Sequence, residues 1–425
     1  MIFSLVIIIF NVIALYESVT GLLQVMGLAS SRNSIFLLTG TFTNPGPYGG
    51  CLAILIAVLA AYALKHRKTT GLLNRTLLCI SLVSCTLCFI VLPATMSRAA
   101  WLGIAVAMVT LVFHEFDPSL WIAQNRGWTT AIVVALAIIM TASFYMKKDS
   151  ALGRLHIWHM ELLAIADNPW HGYGAGSVLG VYGKTQAAFF SEKQRHEKVI
   201  QTAGCPEYAF NEYLKVGVEH GVPAMLGLIV GVLTLTSILL HFQSPFAYGV
   251  IVLAVFAFFS YPSECIHFKT DAEKHWDNVR YLSTMELYED AVEEYRPLYS
   301  RLKGNYRFLY DYGYALHKTE RYDESTIILT EGLRISSDPM FSNIIGKNYE
   351  ALGEYEVAER WYLHAHYMVP CRLYPLVLLM ELKNKTGDSD AALDYAEIIL
   401  SMPYNKRLSS MTDLRKRAEA VLNKE

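Results

Sequence analysis

Hydrophobic positions along this chain fall into two regimes. Up to residue 262 they form long uncharged runs, and beyond it they recur at helical spacing between charged residues. A helix needs about 20 apolar residues to cross a hydrocarbon core of roughly 30 Å. Candidate spans are Tyr48–Leu64, Leu77–Leu92, Ala99–Phe116, Thr129–Met146, Val222–His241 and Phe246–Tyr261. Backbone groups in lipid must pair within their own segment, so these runs predict helices. Flanking residues complete the shorter ones. Ile2–Leu15 is also apolar, but at about 1.5 Å per residue it reaches only roughly 21 Å. It either continues through Glu17 to Met26 or is the remnant of a longer membrane domain. It has neither the basic flank nor the small-residue cleavage site of a signal peptide.

Residues 263–425 carry a period near 34. Tyr288, Tyr322 and Tyr355 fall at intervals of 34 and 33, and Ala291, Ser325, Ala358 and Ala392 follow three residues behind their frame. Gly313 and Gly346 repeat at 33, Gly353 and Gly387 at 34, and Pro370 closes one repeat. Small residues where two helices cross, with aromatics filling the groove, resemble the tetratricopeptide pattern, most clearly in GEYEVAERWYLHAHYMVP (353–370). The aromatics read as core between stacked helices. The concave face of such a solenoid is where a protein partner is expected. The fold class is therefore all-α: a polytopic membrane domain over 1–262, then a tetratricopeptide-type α-solenoid over 263–425.

Charge changes this picture only by its distribution. Of 36 Lys and Arg against 38 Asp and Glu, residues 1–262 hold 15 of the basic ones and the rest of the chain 21. The near balance suits no nucleic-acid partner. Lys65, Arg67, Lys68 and Arg75 cluster between two spans and place that loop in the cytoplasm. Counting crossings puts Pro93–Arg98 outside, His114–Trp128 inside and a large loop, about 147–218, outside, and it returns the chain to the periplasmic side after Tyr261. One re-entrant helix would reverse that last assignment. Seven Cys leave at least one unpaired. Cys79, Cys85 and Cys88 lie in an apolar run and read as small hydrophobes, whereas Cys205 and Cys265 could pair in an oxidising compartment.

Five stretches carry candidate chemistry. TGTFTNPGPYGG (39–50) is a turn delivering backbone to the membrane surface. MSRAAWLG (96–103) puts Arg98 at the mouth of a span, either as a snorkelling anchor or as a planar fork for phosphate oxygens. GRLHIWHMELLAIADNPWHGYGAGS (153–177) repeats that logic with Arg154 and bends at its glycines, which follow no strand and so make no dinucleotide fingerprint. His156 and His159 stand i, i+3 without a third ligand, so packing or surface roles are favoured and no metal is expected. EYAFNEYLKVGVEHGV (207–222) re-enters the membrane with Asn211 and Glu212 just outside it, where a carboxylate accepts a hydroxyl proton or the pair simply caps a helix. SYP (260–262) breaks the last run.

In this order, around one large external loop, GTFTNPGPYGG, SRAAWLG, GRLHIW…DNPWHGYGAGS and FNEYL resemble the O-antigen ligase and polymerase family over roughly residues 20–262. A repeat tail on such a domain resembles versions common in Bacteroides-like bacteria. The resemblance implies a GT-C-like helical architecture in the bacterial inner membrane. It also implies metal-independent, cofactor-free transfer of a glycan from an undecaprenyl diphosphate carrier. The acceptor would be lipid A-core, a growing polysaccharide or a protein hydroxyl. Arg98 and Arg154 would hold the diphosphate, with Asn211 beside them. The family commonly has a His before the Asn of its NEYL-type stretch; here Phe210 stands there, leaving Glu212, or His171 across the loop, to receive the acceptor proton. Family members have about ten to twelve spans against six or seven here, so a shortened version is expected, with helices missing before residue 1 and between Tyr261 and the tail. A scaffold that recruits partners through its tail is the non-enzymatic alternative. A transporter fits less well, since no paired interrupted half-helices occur.

Overall fold

The computed structural model describes residues 2–131, 134, 141, 145, 148–192, 197–260, 269–403 and 409–423. Its first helix, α1 (Ile2–Val25), settles how the N-terminal run is completed: it continues past Glu17 for 24 residues, about 36 Å. Asn11, Ser18 and Gln24 are buried along the same stripe as Ile7 and Ala14, while Leu5, Val12, Tyr16 and Val19 point outward. This is a lipid-facing helix turned inside out, with its polar groups toward the bundle.

The expected spans at Tyr48–Leu64, Leu77–Leu92 and Ala99–Phe116 fall on α2 (Pro45–Lys65), α3 (Leu72–Val91) and α4 (Arg98–Phe116). A short α5 (Ser119–Gln124) follows. The span expected at Thr129–Met146 lies for the most part outside the described residues. The large loop carries α6 (Lys148–Asp167), α7 (Val178–Ser191) and α8 (Glu197–Thr202). Then come α9 (Glu212–His241), which contains the run Val222–His241, and α10 (Phe246–Phe259). Among the described residues five helices are long and apolar enough to cross a membrane, and α10 is a shorter apolar one. The protein is all-helical and multi-pass.

The chain divides into two compact units. The first comprises Met1–Ala151, Phe210–Val216 and Pro223–His267. Its centre is α2, whose small residues admit its neighbours: Gly50 lies under the Phe256 ring, and Gly49 lies against Ser97. One end of this bundle is tied by Lys65, whose ammonium lies 3.1 Å from Glu115 and donates to the Gln243 carbonyl at 2.7 Å. The ends of α2 and α4 and the α9–α10 turn therefore share one face.

The second unit comprises Leu152–Ala209, Gly217–Val222 and Phe268–Glu425. Its C-terminal part pairs α11 (Asp271–Thr284) with α12 (Tyr288–Leu302), α13 (Tyr306–Lys318) with α14 (Tyr322–Leu333), α15 (Met340–Ala351) with α16 (Tyr355–Met368) and α17 (Leu373–Thr386) with α18 (Ser389–Ser401), followed by α19 (Ser409–Leu422). The periodic small residues sit at the crossings. Ala291, Ser325, Ala358 and Ala392 are buried, and a Cβ on Gly313 or Gly346 would strike Leu329 or Tyr362.

Candidate functional site

At the bundle end opposite Lys65, two side chains of α1 hold the turn that starts α2. The Gln24 carboxamide accepts from the main-chain N–H groups of Thr39 and Gly40, at 3.0 and 2.8 Å, and donates to the Gly40 carbonyl at 3.0 Å. Glu17, buried, accepts from the Thr41 N–H at 3.2 Å and the Thr41 hydroxyl at 2.5 Å. Gly40 must be glycine: its φ is +58, and a Cβ would meet the Tyr48 ring at 2.2 Å and Glu17 at 2.7 Å. Asn44 then caps α2 by accepting from the Gly46 N–H at 2.8 Å, and the prolines that follow remove donors that would have had no helical partner.

Arg98 is the first residue of α4 and is half-buried. The preceding turn is fixed by the Ser97 N–H donating to the Thr95 hydroxyl oxygen at 3.3 Å and by Ser97 Oγ donating to the Gly46 carbonyl at 3.4 Å. Ser260, just past α10, lies near Gly46, and Tyr213 donates to the Ala254 carbonyl of α10 at 3.1 Å. The starts of α2, α4 and α9 therefore gather at one end of this unit.

Asn211 is buried there as the N-cap of α9, its side-chain oxygen accepting from the N–H groups of Tyr213 and Leu214 at 3.0 and 3.1 Å. Glu212 opens the helix and lies 3.4 Å from Lys215. Phe210, immediately before the cap, has φ +57, a conformation in which a bulky residue is strained.

The second unit holds the other candidates. Arg154 is half-buried on α6, and His171 is exposed on the following loop. His156 is a packing residue: its Nε2 lies 2.8 Å from the Gln186 side-chain oxygen, and burial holds its pKa below the ordinary imidazole value. His159 is exposed against the Phe189 ring. Cys205 is a free thiol, and its expected partner Cys265 lies outside the described residues.

The loop after α6 is stitched to a kink in α9. Gly221 has φ +82 and Pro223 has no N–H, so the helical ladder fails between residues 218 and 223. The freed carbonyls of Val218 and Glu219 accept from Tyr173 and Gly174, both at 2.9 Å, and the Val222 N–H donates to Pro169 at 2.7 Å. The Glu219 carboxylate, buried below the loop, accepts from the Gly176 N–H at 2.9 Å. The polar groups released by the kink are thus re-paired by the glycine-rich loop.

Of the five candidates, the structure brings Arg98, Asn211 and Glu212 to one end of the first unit, while Arg154 and His171 belong to the second. Sequence reasoning missed Glu17, Gln24, Gln186 and Glu219. For Glu17 and Gln24 a signal existed: they stand seven residues apart, on one helical face, in an otherwise apolar run. Among the described residues no three His, Cys, Asp or Glu side chains gather as a metal site.

Residues 83–229 match the family model for O-antigen ligase. The matched segment runs from the middle of α3 to the membrane part of α9, and it contains all five candidates. No curated protein matches the chain. The match supports a function within the O-antigen ligase and polymerase family in general, with a lipid-linked glycan and an acceptor as substrates.

Proposed function

We propose that the protein transfers a glycan from an undecaprenyl diphosphate carrier to an acceptor hydroxyl at the periplasmic face of the inner membrane, as an O-antigen ligase. The observation that carries this reading is Arg98 as the first residue of α4, at the same end of the unit as Asn211 and Glu212 and inside the ligase-matched segment. A helix N-terminus bears about half a positive charge and ordinarily disfavours a cation. Guanidinium and helix end together suit an anion with several oxygens.

In the reaction the acceptor oxygen attacks the anomeric carbon as its bond to the diphosphate breaks. Arg98 stabilises the negative charge that develops on the leaving diphosphate. The family resemblance implies the same work for Arg154. Glu212 receives the acceptor proton, with His171 as the alternative. Asn211 acts on substrate only through its amide nitrogen, because its side-chain oxygen caps the helix. Polymerisation and protein glycosylation use the same steps with other acceptors. The tail is read as a tetratricopeptide-type solenoid.

The test is the glycan profile on a gel of a deletion strain complemented with the wild-type or Arg98→Ala gene. Lipid A-core lacking long glycan in the variant supports ligation. Short one-unit chains support polymerisation instead, and unglycosylated periplasmic protein supports protein transfer. A wild-type profile from a membrane-inserted Arg98→Ala protein rejects the diphosphate role.

A further inference from the structure

We propose that the C-terminal tail is a clamp on this chain's own large loop, so that its working partner is internal and the two lie on the same side of the membrane. The proposal goes beyond glycan transfer and does not depend on it.

Within the second unit α7 lies against α16. Two glycines one turn apart let α7 approach the end of α14 and the end of α16. A Cβ on Gly180 would lie 2.0 Å from the Arg334 carbonyl oxygen, and one on Gly183 would lie 2.8 Å from the Met368 terminal methyl. Since the first obstacle is backbone, no rotamer relieves it. Gln186, buried on the same helix, donates to the carbonyls of Met368 and, at 3.0 Å, Gly204. Ala187, Met368 and Val369 form a small apolar seal with Cys205, Leu333, Tyr367 and Cys371 around it.

The segment 203–207 then runs along the starts of three successive helix pairs. The Cys371 thiol donates to the Ala203 carbonyl at 3.6 Å, and the Arg372 guanidinium donates to Cys205 Sγ at 2.9 Å, just before α17. Ser337 Oγ, before α15, donates to the Pro206 carbonyl at 3.0 Å. Arg307, the second residue of α13, lies 2.6 Å from Glu207. Successive steps along the strap therefore meet the helix pairs in reverse chain order. This register uses backbone carbonyls and a buried carboxamide N–H on the loop side, and each loses its tail partner if the tail lets go. A folded contact of this kind cannot straddle a bilayer, so loop and tail share one side.

The full chain, with a protease site substituted into residues 263–266, is purified in detergent and cut. The tail fragment is expected to elute with the membrane fragment on size exclusion. A Pro206→Cys, Ser337→Cys pair is expected to join the two fragments on a non-reducing gel, which neither single substitution does. Gly180→Leu is expected to release the tail after cutting. Separation of the unsubstituted fragments, no link between the introduced thiols, or co-elution of the cut Gly180→Leu protein as in the wild type each overturns the clamp.

Discussion

The Val222 N–H bonds to the Pro169 carbonyl at 2.7 Å, in place of the Val218 carbonyl that a regular helix would have offered it. That exchange depends on Gly221, where a Cβ would lie 2.5 Å from the Trp170 carbonyl oxygen and the backbone φ of +82 disfavours any L side chain. Gly221→Ala is expected to destabilise the stitched loop by about 1–3 kcal/mol, the usual cost of such strain. Limited proteolysis of the detergent-solubilised protein reads the effect as faster cleavage within 169–176. An unchanged rate would mean that the loop is held by something else.

Arg98→Lys separates geometry from charge. A lysine keeps the charge but loses the planar fork. If the fork grips a diphosphate, Arg98→Lys retains part of the transfer, and Arg98→Ala falls by about 100-fold or more, as for the loss of one group that stabilises developing charge. A radiolabelled-glycan transfer assay in membranes makes the comparison. Wild-type activity in both variants removes the guanidinium from the mechanism.

Which features were legible in the sequence follows from the range of the forces involved. The runs behind α2, α3 and α4 announce themselves because lipid demands continuous apolar length. Ala291, Ser325 and Ala358 announce themselves because helix crossings repeat. Arg98, Asn211 and Glu212 stand out because they are polar groups close to the borders of long apolar runs. Asn211 also shows the limit of that signal, since its visible chemistry is capping. The grouping of α7 with the tail had no local signature. Gly180, Gln186 and Cys205 are ordinary residues whose partners lie far along the chain, and no periodicity encodes such a pairing. Nor does hydropathy show that Glu17 can sit inside a helix while its carboxylate is satisfied by Thr41.

Acid should weaken the tail. His366 on α16 is held by burial to a pKa of about 4, against an ordinary value of 6.5, and burial also lowers His364. A depressed imidazole leaves the folded state neutral, while the unfolded chain takes up a proton below its own pKa. Stability is therefore unaffected well above pH 6.5 and is lost as pH falls below it. From His366 alone the loss between pH 7 and pH 5 is about 2 kcal/mol. Thermal melts followed by circular dichroism at the two pH values check this. His366→Phe is expected to shrink the difference, and an equal drop in both proteins would place the acid sensitivity elsewhere.

The arrangement of the bundle gives an expectation for the side of the membrane on which the C-terminus lies. Lys65, Glu115 and Gln243 share one end, and the basic loop after Lys65 makes a cytoplasmic side the expectation for that end. From there α10 runs beside α2, with Gly249 against Val58, Phe256 over Gly50 and Ser260 near Gly46. It therefore delivers the chain to the opposite end. At 14 residues, about 21 Å, it is short for a full crossing and requires local thinning or flanking residues. Alkaline phosphatase fused after Glu425 is expected to be active, since it folds only in the oxidising compartment, and a fluorescent protein that needs the cytoplasm is expected to be dark. The reverse pattern would show that α10 does not cross and would contradict a tail clamped to a periplasmic loop.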